Sequence, residues 1–338
     1  MAVTLKDVAA RAGVSRSAVS RTFTDGASVS PRMREKVEAA AKELGYRPNR
    51  LASSLTTGRT QLIGLVSNNF QNPIFLEVFD LFTRGLQARG LRPLLVNLSA
   101  DIDPESSVEM LREYSVDGVV VASSTLSPEF AQAFADAGMP VVHAFGRKSD
   151  APRTHVVGID NVACGAMAAR ALLAAGYGHV HMLAGPAEAT STQDRLQGFQ
   201  GVMAAQKDIL SSHSFASAYS FDAGRLEMQR LLAAGPPAQG YFCGDDVLSM
   251  GALSALADAG HAVPGDVGLL GLNDMAMARW ESFALSTIHQ PIPEIVEACM
   301  DVMEEMLKGP LWDRPSVSPK CHVFECSLTY RKTLPAPA

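Results

Sequence analysis

Apolar positions recur at two different periods along the 338 residues, and the change of period divides the chain. In TLKDVAARAGV (4–14), Leu5, Val8, Ala9 and Ala12 fall on one helical face. Thr4 followed by Asp7 has capping-box spacing, and Gly13 supplies the turn that ends the helix. A second short helix is predicted over SRSAVSRTF (15–23), with Ser15 as its cap and Ala18, Val19 and Thr22 turned inward. A third begins at Ser30-Pro31, cap followed by first-turn proline, and runs to Gly45. Two short helices joined by a glycine turn and braced by a third predict a helix-turn-helix.

From Gln61 the pattern becomes apolar runs alternating with helical segments. The runs are LIGLV (62–66), PLLVN (93–97), GVVVA (118–122), PVVHA (140–144), HVVGI (155–159), VHMLA (180–184), GYFCG (240–244) and VGLLG (267–271). Glycine follows alanine-rich helix ends at QARG (87–90), ADAG (135–138), LAAG (173–176) and ADAG (257–260). Such alternation predicts parallel sheets covered on both faces, and residues 61–338 exceed one ordinary doubly wound domain, so two similar lobes are expected.

Composition narrows the class. An apolar content of 47% suits a chain with sizeable cores. No charged-then-apolar leader opens the sequence and no apolar run approaches the ~20 residues of a membrane span, so a cytoplasmic protein without a membrane partner is expected. Cys164, Cys243, Cys299, Cys321 and Cys326 are odd in number and lack CxxC spacing; neither disulfides nor a metal are expected. Charge is uneven, with 11 Lys and Arg against 5 Asp and Glu in residues 1–60, and 18 against 30 in the rest. The basic segment implies either an anionic partner or a solvated basic face. No GxGxxG, P-loop, GxSxG or HExxH motif is present. His143, His155, His179 and His181 sit in or beside strands as packing residues, so no catalytic residue, enzyme activity or cofactor is expected.

The motifs TLKDVAARAGVSRSAVSRTF, VSPRMREKVEAAAKELGYRPNRLASSL, IGLVSNNFQNPIF, GIDN, DRLQGF, GDDVLSMGALSALADAG, VPGDVGLLGLND and LSTIHQP run in order over nearly the whole length. Together they resemble the lactose-repressor (LacI) family of bacterial transcription regulators. The resemblance implies an α/β fold: an all-α helix-turn-helix head on a two-lobed, periplasmic-binding-protein-like (type I) body of doubly wound parallel sheets. It implies a head at 1–46, a hinge at 47–60, a first lobe at 61–160 and 292–319, a second lobe at 161–291 and 320–330, and a short tail at 331–338.

In a helix-turn-helix the second helix enters the major groove with its N-terminal side chains at base edges. Arg16 and Ser17 follow the cap and Arg21 lies about a turn further on. An arginine can bond guanine O6 and N7 together or simply meet a phosphate. The resemblance implies that Arg16 and Ser17 set specificity and that Arg21 is a shared contact. Thr4, Ser15, Ser20, Ser30 and Asn49 suit phosphate contacts and serve equally as caps or surface residues. From Arg50 to Leu55 there are fewer than two turns, well under the ~12–15 residues of a marginal free helix. The resemblance makes this a hinge helix that forms when two chains pair over the operator's minor groove, with Leu55 wedged between base steps and Ala52 allowing close approach.

Ligands of open α/β sheets bind beyond the carboxyl ends of strands, and two lobes leave a cleft between them. The candidates there are Asn68, Asn69 and Phe75 after strand 62–66, Phe145 after 140–144, Ser191 and Arg195 after 180–184, Asp245 after 240–244 and Asn273 after 267–271, with Phe221 after a strand-like FASAYS (215–220). Amides, a carboxylate, a guanidinium and aromatic faces suit a polyhydroxylated ring. The resemblance maps Phe75, Phe145, Arg195, Phe221, Asp245 and Asn273 onto effector positions. Ala189 stands where purine-sensing relatives carry an arginine, which favours a sugar or sugar derivative.

The expected function is a ligand-responsive DNA-binding regulator, a repressor of carbohydrate-utilisation genes, acting on a pseudo-palindromic operator as a homodimer. Alternatives are a purine- or nucleoside-responsive or co-repressor-dependent regulator and, more remotely, a sugar-binding transport protein. The tail after LTYRKTLPAPA has no leucine heptads, so a dimer and not a tetramer is expected.

Overall fold

Val8, Ala9 and Ala12 form the buried face of α1 (Leu5–Ala12), which ends where Gly13 adopts φ 64°. Helix α2 (Arg16–Thr22) is capped by Ser15, whose hydroxyl accepts from Ala18 N–H at 3.2 Å, and it buries Val19 and Thr22. Ser30 caps α3 (Pro31–Leu44) in the same way, through Met33 N–H at 3.3 Å. Val37, Ala40 and Ala41 of α3 complete the small core, while Arg34 donates to the Thr22 carbonyl at 3.1 Å and Arg11 pairs with Glu43 at 2.6 Å. The computed structural model describes residues 3–23, 27–47, 58–98, 104–308 and 318–337, and these helices belong to a unit, 1–60, separate from the body, 61–338.

In the body, β1 (Leu62–Ser67), α4 (Ile74–Ala88), β2 (Arg92–Asn97), α5 (Pro104–Glu113), β3 (Gly118–Ala122), α6 (Pro128–Asp136), β4 (Val141–Ala144) and β5 (His155–Ile159) alternate, as the apolar runs predict. The chain then builds a second sheet from α7 (Asn161–Ala174), β6 (His179–Ala184), α8 (Thr190–Met203), β7 (Leu210–Phe215), α9 (Phe221–Ala234), β8 (Gly240–Cys243), α10 (Asp246–Asp258), β9 (Gly268–Asn273) and β10 (Ser286–His289). Helix α11 (Ile292–Met306) returns to the first lobe, where Arg89, at the C-terminal end of α4, meets Glu297 at 2.5 Å and Asp301 at 2.8 Å. The short strands β11 (Cys321–Phe324) and β12 (Ser327–Thr329) follow.

The first sheet runs β11-β5-β4-β3-β1-β2 and the second β12-β10-β9-β8-β6-β7. Every pairing is parallel except β12 on β10. One boundary differs from expectation. The resemblance implies a second lobe that includes 320–324, but β11 pairs with β5, Cys321 opposite Val156 and Phe324 opposite Ile159, so the last crossover lies between Phe324 and Ser327. The open edge of β5 offers a parallel partner that sequence alternation cannot assign to one lobe. A second correction concerns FASAYS: the strand is 210–215, an edge strand exposed on both faces except at Ser214, and only Phe215 of that stretch belongs to it.

Two buried histidines brace the sheets. His143 on β4 hydrogen-bonds through Nε2 to the Ser123 carbonyl at 3.0 Å, and His181 on β6 lies between the Ser212 and Ser214 hydroxyls at 2.8 and 2.9 Å. Burial lowers both from 6.5 to about 4, so each stays neutral in the folded chain. The unfolded chain takes up these protons near pH 6.5 and the folded one only near 4, so stability is complete above that window and is lost as pH falls through it. At pH 5 the two should together remove roughly 4 kcal/mol, about 2 kcal/mol each, relative to pH 7.5. Urea denaturation at the two pH values measures this; equal stabilities would contradict it.

Candidate functional site

On the head, Arg16, Ser17, Ser20 and Arg21 are all exposed and share the face of α2 opposite Val19 and Thr22. Neither Arg16 nor Arg21 has an ion-pair or hydrogen-bond partner among the described residues, so both guanidiniums are open to an anionic or base-edge acceptor. The hydroxyls are partly committed. Ser17 Oγ lies 2.9 Å from Ser15 Oγ, Ser15 and Ser30 cap helices, and Thr4 donates its N–H and hydroxyl to the Asp7 carboxylate at 2.8 and 2.7 Å. Those bonds hold the exposed Asp7 carboxyl below its ordinary range. Asn49, Ala52 and Leu55 lie outside the described residues.

The body holds a narrow cleft between the carboxyl ends of the two sheets. Phe75 and Phe145 form one wall, their rings edge to face with centroids 6.5 Å apart, and Tyr219 enters from the second lobe. Polar groups converge on it: Asn69 and Asn72 after β1, Asn161 at the start of α7, Arg195 on α8, Asp245, Asn273 and Gln290. Asp245 caps α10 by accepting from Val247 N–H at 2.8 Å, and its other oxygen accepts from Asn273 Nδ2 at 2.8 Å and Asn72 Nδ2 at 3.0 Å. Burial pushes its carboxyl up, against the opposing pull of the Val247 N–H, the two amides and Arg195. Its neighbour Asp246 is raised further by burial, and accepts from Thr287 Oγ1 at 2.6 Å and Met275 N–H at 3.0 Å.

Arg195 is 3% exposed. Its Nε donates to Asn161 Oδ1 at 2.8 Å and Nη1 to the Gly244 carbonyl at 2.5 Å, leaving Nη2 without a partner among the described residues. A close helix approach makes this possible. A Cβ on Gly165 would collide with the Arg195 carbonyl and one on Gly198 with the Val162 carbonyl, so α7 and α8 touch backbone to backbone under the guanidinium. Two lining residues hold left-handed backbones, Phe145 at φ 63° and Asn273 at φ 123°. Asparagine tolerates this conformation, whereas phenylalanine pays about 1–3 kcal/mol, and such strain gathers at binding sites.

The cleft thus brings together six of the nine expected body residues: Asn69, Phe75, Phe145, Arg195, Asp245 and Asn273. Three lie elsewhere. The Asn68 side chain is exposed and bonds Ser123 and Thr125 within its own lobe. Ser191 is buried beside the cleft with its backbone N–H on the Ser124 carbonyl at 3.3 Å. Phe221 opens α9 with 38% of its surface exposed; the aromatic in the cleft is Tyr219, whose hydroxyl bonds Thr192 Oγ1 at 2.7 Å. The strand ends at Phe215 and not at Ser220, so the chain turns into the cleft two residues earlier, at Tyr219. The cap Ser220 followed by Asp222 is the local signal that Phe221 begins a helix. Gln290 follows β10 directly and Asn161 lies two residues after β5, so the strand-end rule reaches both once β10, which is absent from the apolar runs, is recognised; Asn72 sits five residues past β1. Among the described residues no group of His, Cys, Asp and Glu is arranged to hold a metal, and no helix is long and apolar enough to cross a membrane.

Residues 4–49 match the bacterial regulatory proteins of the lacI family, and residues 63–311 match the periplasmic binding protein domain. The HTH-type transcriptional regulator CelR of Thermobifida fusca is 32% identical over 296 residues, 85% of this chain and 87% of that protein. The HTH-type transcriptional repressor PurR of Escherichia coli O139:H28 is 32% identical over 304 residues, 89% of each. A solved CelR–cellobiose complex superposes with a TM-score of 0.71 at 29% identity over 98% of this chain and 99% of that one. A Lac repressor dimer bound to operator and the anti-inducer ONPF superposes with a TM-score of 0.83 at 24% identity over 98% and 99%, which speaks for the fold.

Two glycines of α8 separate the helix contact from helix propensity. Gly198→Ala forces a methyl group into the Val162 carbonyl and should cost about 1–3 kcal/mol. Gly201→Ala, which meets open space, should gain about 0.5–1 kcal/mol. Thermal midpoints moving in opposite directions are expected, and the same sign for both would refute the contact.

Proposed function

The chain belongs to the LacI family of bacterial regulatory proteins, DNA-binding transcriptional regulators, and on that premise we propose that it is a repressor of carbohydrate-utilisation genes released or held by a sugar or sugar derivative in the cleft. The observation that carries the ligand class is the lining: one guanidinium and one carboxylate, several amides, and the aromatic faces of Phe75, Phe145 and Tyr219. Opposite single charges leave little attraction for a charged ligand. Amides, Asp245 and Arg195 can pair with hydroxyls in two directions while ring C–H faces lie on the aromatics. The cellobiose bound by CelR supports the same class.

Two recognition helices double the readout of one, which supports a homodimer on a pseudo-palindromic site. Arg16 and Ser17 read bases, Arg21 adds a shared contact, and Thr4, Ser15, Ser20, Ser30 and Asn49 meet phosphates. Leu55 and Ala52 act as wedge and close-approach residue of a hinge helix. A coupling of about 1–3 kcal/mol between cleft and DNA would change occupancy roughly 5–150-fold. The protein works in the cytoplasm and carries out no catalysis.

A thermal-shift screen of neutral sugars, polyols, sugar acids and nucleosides tests the ligand class. A neutral sugar should raise the melting midpoint of the wild type and leave Arg195→Ala unmoved; a response confined to nucleosides would replace the sugar reading with a purine one. For the head, Arg16→Ala should lower affinity for the selected palindrome by about 10-fold or more, as a lost guanine contact does, with random-sequence DNA little affected. Equal losses on both DNAs in fluorescence anisotropy would make Arg16 a phosphate contact.

A further inference from the structure

Among the described residues one ion pair joins the two lobes. Arg147 stands in the loop after β4, and its Nε and Nη2 grip both oxygens of Asp194 on α8, the first at 3.1 Å. The Asp194 side chain is 8% exposed and that of Arg147 37%. The neighbouring Lys148 is taken by Asp160 at 2.6 Å and does not compete. Each end of the pair is joined through the backbone to a cleft wall: Arg147 follows strained Phe145 by two residues, and Asp194 precedes Arg195. The other cross-lobe bonds are weaker in kind, between neutral groups or with one charged partner: Thr190 Oγ1 and Ser191 N–H on the Ser124 carbonyl, Ala276 N–H on Glu77, and Asn72 on Asp245.

We infer that Arg147 and Asp194 form an electrostatic latch that sets the balance between closed and open lobes, and so act as positioning residues for whatever fills the cleft. A bidentate guanidinium–carboxylate pair requires both partners in one plane and register. Only one relative placement of the lobes supplies that, whereas in an open form both groups are separately hydrated. Because Asp194 is largely shielded in the closed form, losing Arg147 leaves a carboxylate that opening would relieve. Its meaning for regulation rests on the effector reading of the cleft, but closure itself needs no ligand to be measured.

Hydrogen exchange of the full chain without ligand tests it, with two cross-lobe amides as reporters: Ser191, bonded to Ser124, and Ala276, bonded to Glu77 at 2.8 Å. Their exchange follows the population of the open form. Arg147→Glu and Asp194→Arg should each accelerate both reporters about fivefold, and the two together, with charges exchanged, should restore them to within about twofold. Raising salt to about 1 M should accelerate the wild type and slow Arg147→Glu, whose two facing carboxylates it screens from each other. Val121 and Leu270, central in the sheets, report global unfolding; where they also accelerate, Asp194→Asn, which keeps the side-chain size, is read on the same amides. Unchanged reporters in the single variants, or no recovery on exchange of charges, would overturn the latch. With no ligand present, failure of the sugar screen does not bear on this result.

Discussion

A carboxylate taken out of water between two lobes must find its hydrogen bonds where it lies, and Asp245 finds them from three sides. It ties the first turn of α10 to Asn273 in its own lobe and to Asn72 in the other. The cleft is therefore organised around an acceptor whose neighbours are already oriented. A ligand hydroxyl that enters must take over one of those bonds or add to them, which favours ligands rich in paired donors and acceptors. Placing the charge at a helix N-terminus also sets a partial positive dipole against it.

The rest of the site is held with similar economy. Arg195 spends two nitrogens on Asn161 and Gly244 and keeps the third free, and the bare backbones of Gly165 and Gly198 allow α7 and α8 to bring it there. The left-handed turn at Phe145 aims a ring into the cleft and starts the loop that carries Arg147 across it. Strain, charge and packing thus meet at the same few residues, so lobe position and cleft shape are coupled through the backbone.

The head obeys different physics. Its core is a handful of small residues, and its exposed face of α2 carries two unpaired guanidiniums on a basic segment, while the body is acidic. Affinity for a polyanion can come from that face through charge, and sequence preference through the few side chains near the helix start.

Periodicity alone determined the three head helices with their caps and the central strands of both sheets, because Ser15, Ser30, Gly13 and the buried runs 62–66 and 118–122 act locally. The strand-end rule together with the family resemblance picked out Phe75, Phe145, Arg195, Asp245 and Asn273 of the cleft, while Asn68, the first residue after β1, turns to Ser123 and Thr125 of its own lobe. Edge strands escaped periodicity. β7 is wetted on both faces and has no apolar alternation to read, which displaced the strand and put Phe221 where Tyr219 belongs. The partner of β11, the cross-lobe reach of Asn72 and the grip of Arg147 on Asp194 were decided only by tertiary structure. Those contacts join residues 173 and 47 positions apart in the two polar cases, and a polar side chain carries no mark in the sequence of the distant group that will satisfy it.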